Sequence, residues 1–484
     1  MSESNSVPVL PQEIVERIID QLAPQVPPEA NEESEAYDAL VACTLVNKSF
    51  SSWAKRRILV HITIEDTKYK IDSLHSALQS AQEPWHHIQS LSILIRRQFA
   101  SPAFDALTGL LSLFLANQVP LKRLTLSFDK DYPGTLLDLW NISQDFQNSF
   151  LQLGKLRTLT KLHLKSINMP IAFLAQFSNV RKLVLEDGSL ITGPTSQNAL
   201  LDLEELEIKS CDCSSLVQFL SLCKDSGLPR PDDNTSGNNP STNLKSLKYH
   251  PIHFNRPRFS ESFYEAFRWN RAISQLESLE LATTFAEDYQ VPALLTRSLD
   301  LHELPRLRSF KMKSILVGAR KDLKSNILRF VFLPTPKGPT RLETIQLSLV
   351  IPTSTQVFEE LVKEPFAWPR LEPFRTKDEW KRLHTNFSDV SQFPCLHTAE
   401  FSLIVYPVAR SDNSDDALNS QCNPTPRLTL RFSILRSTDL TESMIGTTST
   451  EYQRRSLAVG RNPMLAERQY DILKLAYIRI NRIG

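Results

Sequence analysis

Three cysteines and two histidines fall between residues 211 and 253 in the middle of the chain: Cys211, Cys213, Cys223, His250 and His253. Thiolates and imidazoles are zinc ligands, but structural zinc sites separate paired cysteines by two to four residues. Cys211 and Cys213 enclose only Asp212, so these groups are expected to be core and loop side chains and not a metal set. Other chemical patterns fail sooner. "HELPR" at 302–306 begins like a zinc-protease helix, but it lacks the second histidine and Pro305 would break the helix. Gly188 and Gly193 have the spacing of a phosphate-cradling loop, yet Pro194 stands where the lysine is needed. There is no G-x-G-x-x-G for a dinucleotide and no G-x-S-x-G nucleophile elbow. Trp85-His86-His87 is expected to be a turn at a strand edge. No catalytic residue, no cofactor and no metal are expected, so the chain is read as a non-enzyme.

The side chains left for function are those that can hold another protein. One phrase recurs: leucine, two residues, leucine, one residue, an apolar residue. It begins at Ile88, Leu121, Leu159, Val180, Leu203, Leu244, Leu276, Leu307, Leu342 and Leu396. Its polar positions are Lys122, Arg123 and Thr125, then Lys161 and His163, then Glu204, Glu205 and Glu207, then Glu277, Ser278 and Glu280, then Arg308, Ser309 and Lys311. They follow one another as basic, acidic and basic blocks. Arg123, His163, Glu205, Glu207, Glu280 and Lys311 are the candidate contacts for a protein substrate.

The elements that carry these residues follow from the period. Alternation within each phrase is that of a short strand with one buried face. The phrases begin 21 to 54 residues apart, with helix-like or loop sequence between them, such as "PIAFLAQFSN" at 170–179. Strands joined by crossovers of that length pair in parallel. A fixed strand phrase with variable returns predicts an α/β chain built as a curved, irregular stack of units. Ten strands at ~4.8 Å spacing would make a sheet roughly 43 Å wide. Polar stretches at 224–243 and 407–427 are expected to be disordered insertions. "LTLRFSIL" at 428–435 is expected to add a strand, and 465–480 a closing helix in a C-terminal segment, 438–484.

Residues 10–60 are different. "LPQEIVERIIDQL" at 10–22 has Ile14, Ile18, Ile19 and Leu22 at helical spacing, with Pro11 suited to a first turn because it lacks the N–H that would be unpaired there. A proline-rich acidic loop is expected over 23–37, a second helix over 38–46 and a third over 48–59, the last with Phe50, Trp53, Ala54 and Ile58 on one side. Lys55, Arg56 and Arg57 near its end complement the helix dipole. Such a short helical unit has little core of its own.

The 55 basic and 54 acidic residues cancel, which argues against a nucleic-acid binder. The six cysteines are scattered. The first nine residues, an expected disordered tail, have neither the basic nor the apolar run of a signal peptide. The longest apolar stretch, 107–116, is too short to span a bilayer. An intracellular, reduced protein without membrane or nucleic-acid partners is therefore expected, in the cytoplasm or nucleus.

Two resemblances follow from these residues. Leu10, Pro11, Glu13, Ile14, Ile18 and Leu22, then Cys43, Leu45, Val46, Phe50 and Trp53, fall in order on the pattern of an F-box, and "ACTLVNKSFSSWAKRRIL" is similar to the form abundant in mushroom-forming fungi. The loop at 23–37 is longer and more acidic than in most of that family. Residues 61–437 resemble a leucine-rich repeat, whose phrase L-x-x-L-x-L-x-x-N/C is met in full by "LEELEIKSC" at 203–211. The resemblance implies a three-helix F-box followed by a leucine-rich-repeat-like solenoid with a parallel sheet. It implies a substrate-recognition subunit of a Skp–cullin–F-box ubiquitin ligase, reaching cullin and RING subunits through a Skp-type adaptor. It places Leu10, Pro11, Ile14, Ile18, Leu22, Leu40, Leu45, Val46, Phe50 and Trp53 against that adaptor. The alternative is a repeat scaffold without ligase function, capped by the same helices.

Overall fold

The structure is a computed structural model. It describes residues 10–22, 33–65, 67–80, 85–96, 101–129, 136–174, 176–191, 203–211, 244–250, 275–286, 301, 304–317, 339–354, 387, 389, 391–408, 427–435 and 477–483. The chain is mixed α/β with parallel sheet, and it divides into two compact units, Met1–Leu203 and Glu204–Gly484.

Three helices open the first unit: α1 (Gln12–Leu22), α2 (Glu33–Cys43) and α3 (Lys48–Val60). The second starts at Glu33 and not at 38, so part of the expected acidic loop is helical. It also stops at Cys43 and not at 46, where Thr44 turns the chain by donating its hydroxyl to the Val41 carbonyl at 2.7 Å. Residues 23–32 lie outside the described residues. Asn47 caps α3 with an extended backbone, its Oδ1 accepting the Phe50 N–H at 3.0 Å.

The unit continues through β1 (His61–Glu65), α4 (Lys68–Ser80), a 3-10 turn at Trp85–His87, β2 (Ser90–Ile95), α5 (Ser101–Ala116), β3 (Arg123–Phe128), β4 (Leu137–Asp138) and α6 (Gln144–Gly154). It ends with β5 (Lys161–Lys165), β6 (Ile167–Pro170), α7 (Ile171–Leu174), β7 (Lys182–Glu186) and β8 (Ser189–Ile191). β1, β2, β3, β5 and β7 pair in parallel and in register. Register puts Ile62, Leu91, Leu124, Leu162 and Leu183 in one row, and Ile64, Ile93, Leu126, Leu164 and Leu185 in the next. All ten are buried, which is the return on strict alternation: a one-residue slip would expose both rows. α5, α6 and the turn after α7 add an aromatic chain, Phe104 to Phe146 to Phe150 to Phe177, with ring centroids 5.5, 6.1 and 5.6 Å apart.

β4, β6 and β8 form a second, small parallel sheet that the leucine phrase does not announce. The chain reaches it through left-handed residues directly after β5 and β7, Ser166 (φ 57°) and Asp187 (φ 54°). Gly188 then passes so close to Ile167 that a Cβ would lie 2.3 Å from its carbonyl oxygen. Steric need, and not phosphate binding, accounts for this glycine.

The second unit contains β9 (Glu205–Lys209), β10 (Ser246–His250), β11 (Ser278–Ala286), β12 (Ser309–Val317), β13 (Thr344–Ser354), β14 (Thr398–Val408), β15 (Arg427–Leu435) and β16 (Tyr477–Ile483). β9 to β14 pair in parallel. Leu206, Leu247, Leu279, Phe310, Ile345 and Ala399 share a buried row. At each strand start one carbonyl accepts two successive N–H groups of the next strand: Glu204 from Lys245 and Ser246, Lys245 from Glu277 and Ser278, Glu277 from Arg308 and Ser309. β15 and β16 are antiparallel, which breaks the expected order. The expected closing helix at 465–480 is corrected at its end, because residues 477–480 belong to β16. There Ile478 and Ile480 alternate with Tyr477, Arg479 and Asn481, a strand period carried by β-branched isoleucines. The ends of the expected insertion at 407–427 are strand, and the insertion at 224–243 lies outside the described residues.

Candidate protein-interaction surfaces

Seven large hydrophobic side chains are exposed among the described residues, and six of them fall within residues 10–46: Leu10, Ile14, Ile18, Val41, Leu45 and Val46. The seventh, Tyr69, stands alone on α4. The cause is local. α1 has more apolar surface than its neighbours cover. Val15 and Ile19 are 2% and 0% exposed and form the core with Leu40, Phe50 and Ala54. Ile14 and Ile18, one position earlier and so about 100° around the helix, are 44% and 38% exposed. Helix spacing puts Ile14 and Ile18 on one stripe and Val15 and Ile19 on the next. The Pro11 carbonyl accepts from the N–H groups of Ile14 and Val15 at 3.1 and 3.3 Å, starting the helix directly after Leu10.

The second exposed set sits at the end of α2. Leu45 N–H donates to the Ala42 carbonyl at 3.0 Å and Val46 N–H to that of Cys43 at 3.3 Å, and the Asn47 cap follows at once. A turn held at both ends thus presents Leu45, 84% exposed, and Val46, 60% exposed. Between α1 and α3, Arg57 pairs with Asp20, its Nε 2.8 Å from Oδ1. Arg56 lies over the Trp53 ring, 5.0 Å from its centroid.

The structure therefore divides the expected adaptor contacts. Leu10, Pro11, Ile14, Ile18, Leu45 and Val46 are exposed. Leu40 and Phe50 are corrected to core positions, because α2 and α3 need those side chains to close on α1. Leu22 and Trp53 are half-buried and pack against the same core. Val41, in the last turns of α2 and not among the expected contacts, is also exposed.

The expected substrate contacts are distributed over both units. In the first, Arg123 neighbours Ser90 and Lys161 in register, and His163 lies between Thr125 and Val184. His163 Nε2 is 3.3 Å from Glu186 Oε2, and Lys165 Nζ is 2.6 Å from Oε1. His163 first, with Lys165 added, holds the Glu186 carboxyl at about 2 against the opposing effect of burial.

In the second unit the expected acidic block is corrected. Strand pairing inserts Lys248 between Glu207 and Glu280, and Glu280 is followed by Lys311. Glu205 is exposed beside Ser246. Glu207 also pairs along its own strand with Lys209 at 2.8 Å. His250, 3.3 Å from Glu280, lowers the Glu280 carboxyl, with Lys248 and Lys311 adding to it against burial. The signs alternate from strand to strand, a pattern hidden when the phrases are read one at a time.

Among the described residues no group of three or more histidine, cysteine, aspartate or glutamate side chains could hold a metal ion. Cys211 is buried and its thiol donates to the Lys209 carbonyl at 3.1 Å; Cys213, Cys223 and His253 lie outside the described residues. His302 and Glu303 also lie outside them. Trp85 meets Phe114 edge-on, with centroids 5.8 Å apart, which fastens the turn before β2. No described helix is long and apolar enough to cross a membrane. Compared with family models and with curated proteins, the chain matches none.

Proposed function

We propose that residues 10–60 act as an F-box and residues 61–437 as a leucine-rich-repeat-like solenoid. The chain is then the substrate-recognition subunit of a Skp–cullin–F-box ubiquitin ligase in the cytoplasm or nucleus. It performs no chemistry itself. The helical unit binds a Skp-type adaptor, which joins it to cullin and RING subunits, and the sheet-bearing region holds a protein substrate. One observation carries the reading: among the described residues, six of the seven exposed large hydrophobics lie in residues 10–46, at positions where the F-box resemblance places its partner or next to them. Fully burying each such side chain is worth ~1.5–3 kcal/mol gross, a sum on the scale of the ~4–15 kcal/mol that association costs.

A second reading, a repeat scaffold with the helices as an end cap, is favoured by a different observation. α3 runs directly into β1, and the Val60 carbonyl accepts the Gln89 N–H at 3.0 Å. Capping and adaptor binding are compatible. Co-purification with a Skp-type adaptor separates ligase from scaffold. The parent chain should retain the adaptor, and an Ile14→Asp, Ile18→Asp variant with unchanged circular dichroism should lose it. A parent chain that retains none sinks the ligase reading.

A further inference from the structure

Charge in the second unit runs in stripes along the strands. β9 and the residue before it carry Glu204, Glu205 and Glu207, with Lys209 closing the strand; β10 and the residue before it carry Lys245 and Lys248. Glu277 and Glu280 follow at β11, Arg308 and Lys311 at β12, and Glu343 at the start of β13. Glu207, Lys248, Glu280 and Lys311 are direct neighbours in register. Glu204, Lys245, Glu277, Arg308 and Glu343 are joined one to the next by backbone hydrogen bonds of 2.8, 2.8, 2.9 and 2.8 Å. Strands in a sheet lie ~4.8 Å apart, so across these strands the sign reverses about every 5 Å.

The ion pairs made at the strand starts are loose. Lys245 Nζ is 3.6 Å from Glu204 Oε2, and Arg308 Nη1 is 3.6 Å from Glu343 Oε1, with Glu204 half-buried and the other three side chains exposed. Exposed pairs of this kind are weak and can be exchanged for a partner's charges. Where exposure is described in β9 to β13, the exposed and half-exposed positions are mostly charged or polar, so the charge pattern is what this face offers a partner. A partner of one sign, such as a polyacidic or phosphorylated segment, meets like charge on every second strand. An extended peptide crossing the strands spaces its same-side residues by ~6.6–6.8 Å and falls out of step within two strands. A helix laid across them spaces i, i+3 and i+4 neighbours by ~5–6 Å and stays in step much longer.

We propose that this face docks an α-helix of a partner protein, lying across β9 to β13, whose contacting side alternates acidic and basic residues every three or four positions. Naming that partner a substrate rests on the receptor reading above, whereas the docking itself does not. The test uses the full chain and fluorescence anisotropy with labelled helical peptides of about 20 residues, which span the face. One peptide alternates glutamate and lysine along one side, a second has the same composition with acids in one half and bases in the other, and a third carries lysine throughout that side. The alternating peptide should bind at least ~10-fold more tightly than either control, and the gap should shrink in high salt. A Lys245→Glu, Lys248→Glu, Arg308→Glu variant has a face from β9 to the start of β12 that is acidic except at Lys209, at the end of β9. Its preference should move to the all-lysine peptide, a gain that a misfolded chain would not show. Equal binding of the alternating and two-block peptides, no binding of any peptide, or an unchanged preference in the variant would overturn the proposal. The assay contains no adaptor, so its failure leaves the ligase reading to its own test.

Discussion

Replacing Ile18 and Ile19 separately should have opposite consequences, although the two residues are adjacent and identical in type. Ile19 is fully buried in the helical core, so Ile19→Ala removes about three carbons from it, at ~0.8 kcal/mol each, and leaves a cavity. The expected cost is about 3–4 kcal/mol of the helical unit's stability, and Ile19→Val should cost about 1 kcal/mol. Ile18 is exposed, and alanine is the better helix former, so Ile18→Ala should stay within ~1 kcal/mol. Hydrogen exchange resolved over residues 12–22 reads this directly, because local opening follows the free energy of the unit. At ~1.4 kcal/mol per tenfold, Ile19→Ala should speed exchange of α1 by about 100-fold or more and Ile18→Ala by less than about 10-fold. Adaptor affinity should fall about tenfold for Ile18→Ala. Equal acceleration in the two alanine variants would refute the division of α1 into an inward and an outward stripe.

Four further substitutions have defined outcomes. Gly188→Ala should destabilise the first unit by more than ~2 kcal/mol, because its Cβ would collide with the Ile167 carbonyl. Gly109→Ala, in open space within α5, should stabilise it by about 0.5–1 kcal/mol, with urea midpoints as the readout for both. Glu186 has a folded value of about 2, below its ordinary 4.5, so its contribution is present above pH 4.5 and lost as pH falls toward 2. Glu186→Gln should therefore reduce the stability lost on acidification across that window by on the order of 2 kcal/mol, measured as urea midpoints from pH 6 to 3. Asn47→Ala should cost about 1 kcal/mol and loosen the turn that presents Leu45 and Val46, which exchange at α3 will report.

The strands were legible because the chain states them twice, once as alternation and once as a repeated phrase. Ile88, Leu121, Leu159, Leu276, Leu307 and Leu342, which open six of those phrases, are all buried without exposure. The inward side of α1 was not legible. Its apolar arc covers Ile14, Val15, Ile18 and Ile19, and periodicity cannot choose between two adjacent stripes when only packing against α2 and α3 decides. β1 has the alternating sequence His-Ile-Thr-Ile-Glu but no leucine phrase, and it went unread. The small sheet of β4, β6 and β8 depends on left-handed turns at Ser166 and Asp187, residue types that do not demand that conformation. The charge stripes needed pairing order, because Lys245 and Lys248 acquire meaning only from the glutamates on either side in space.

The central claim is that the exposed residues of the helical unit are a docking surface for a Skp-type adaptor. Hydrogen exchange of the full chain with and without purified adaptor tests it most directly. Added protection is expected over residues 10–18 and 41–46, with β5 and β7 unchanged. Exchange that is the same with and without adaptor, or protection confined to other parts of the chain, would contradict it.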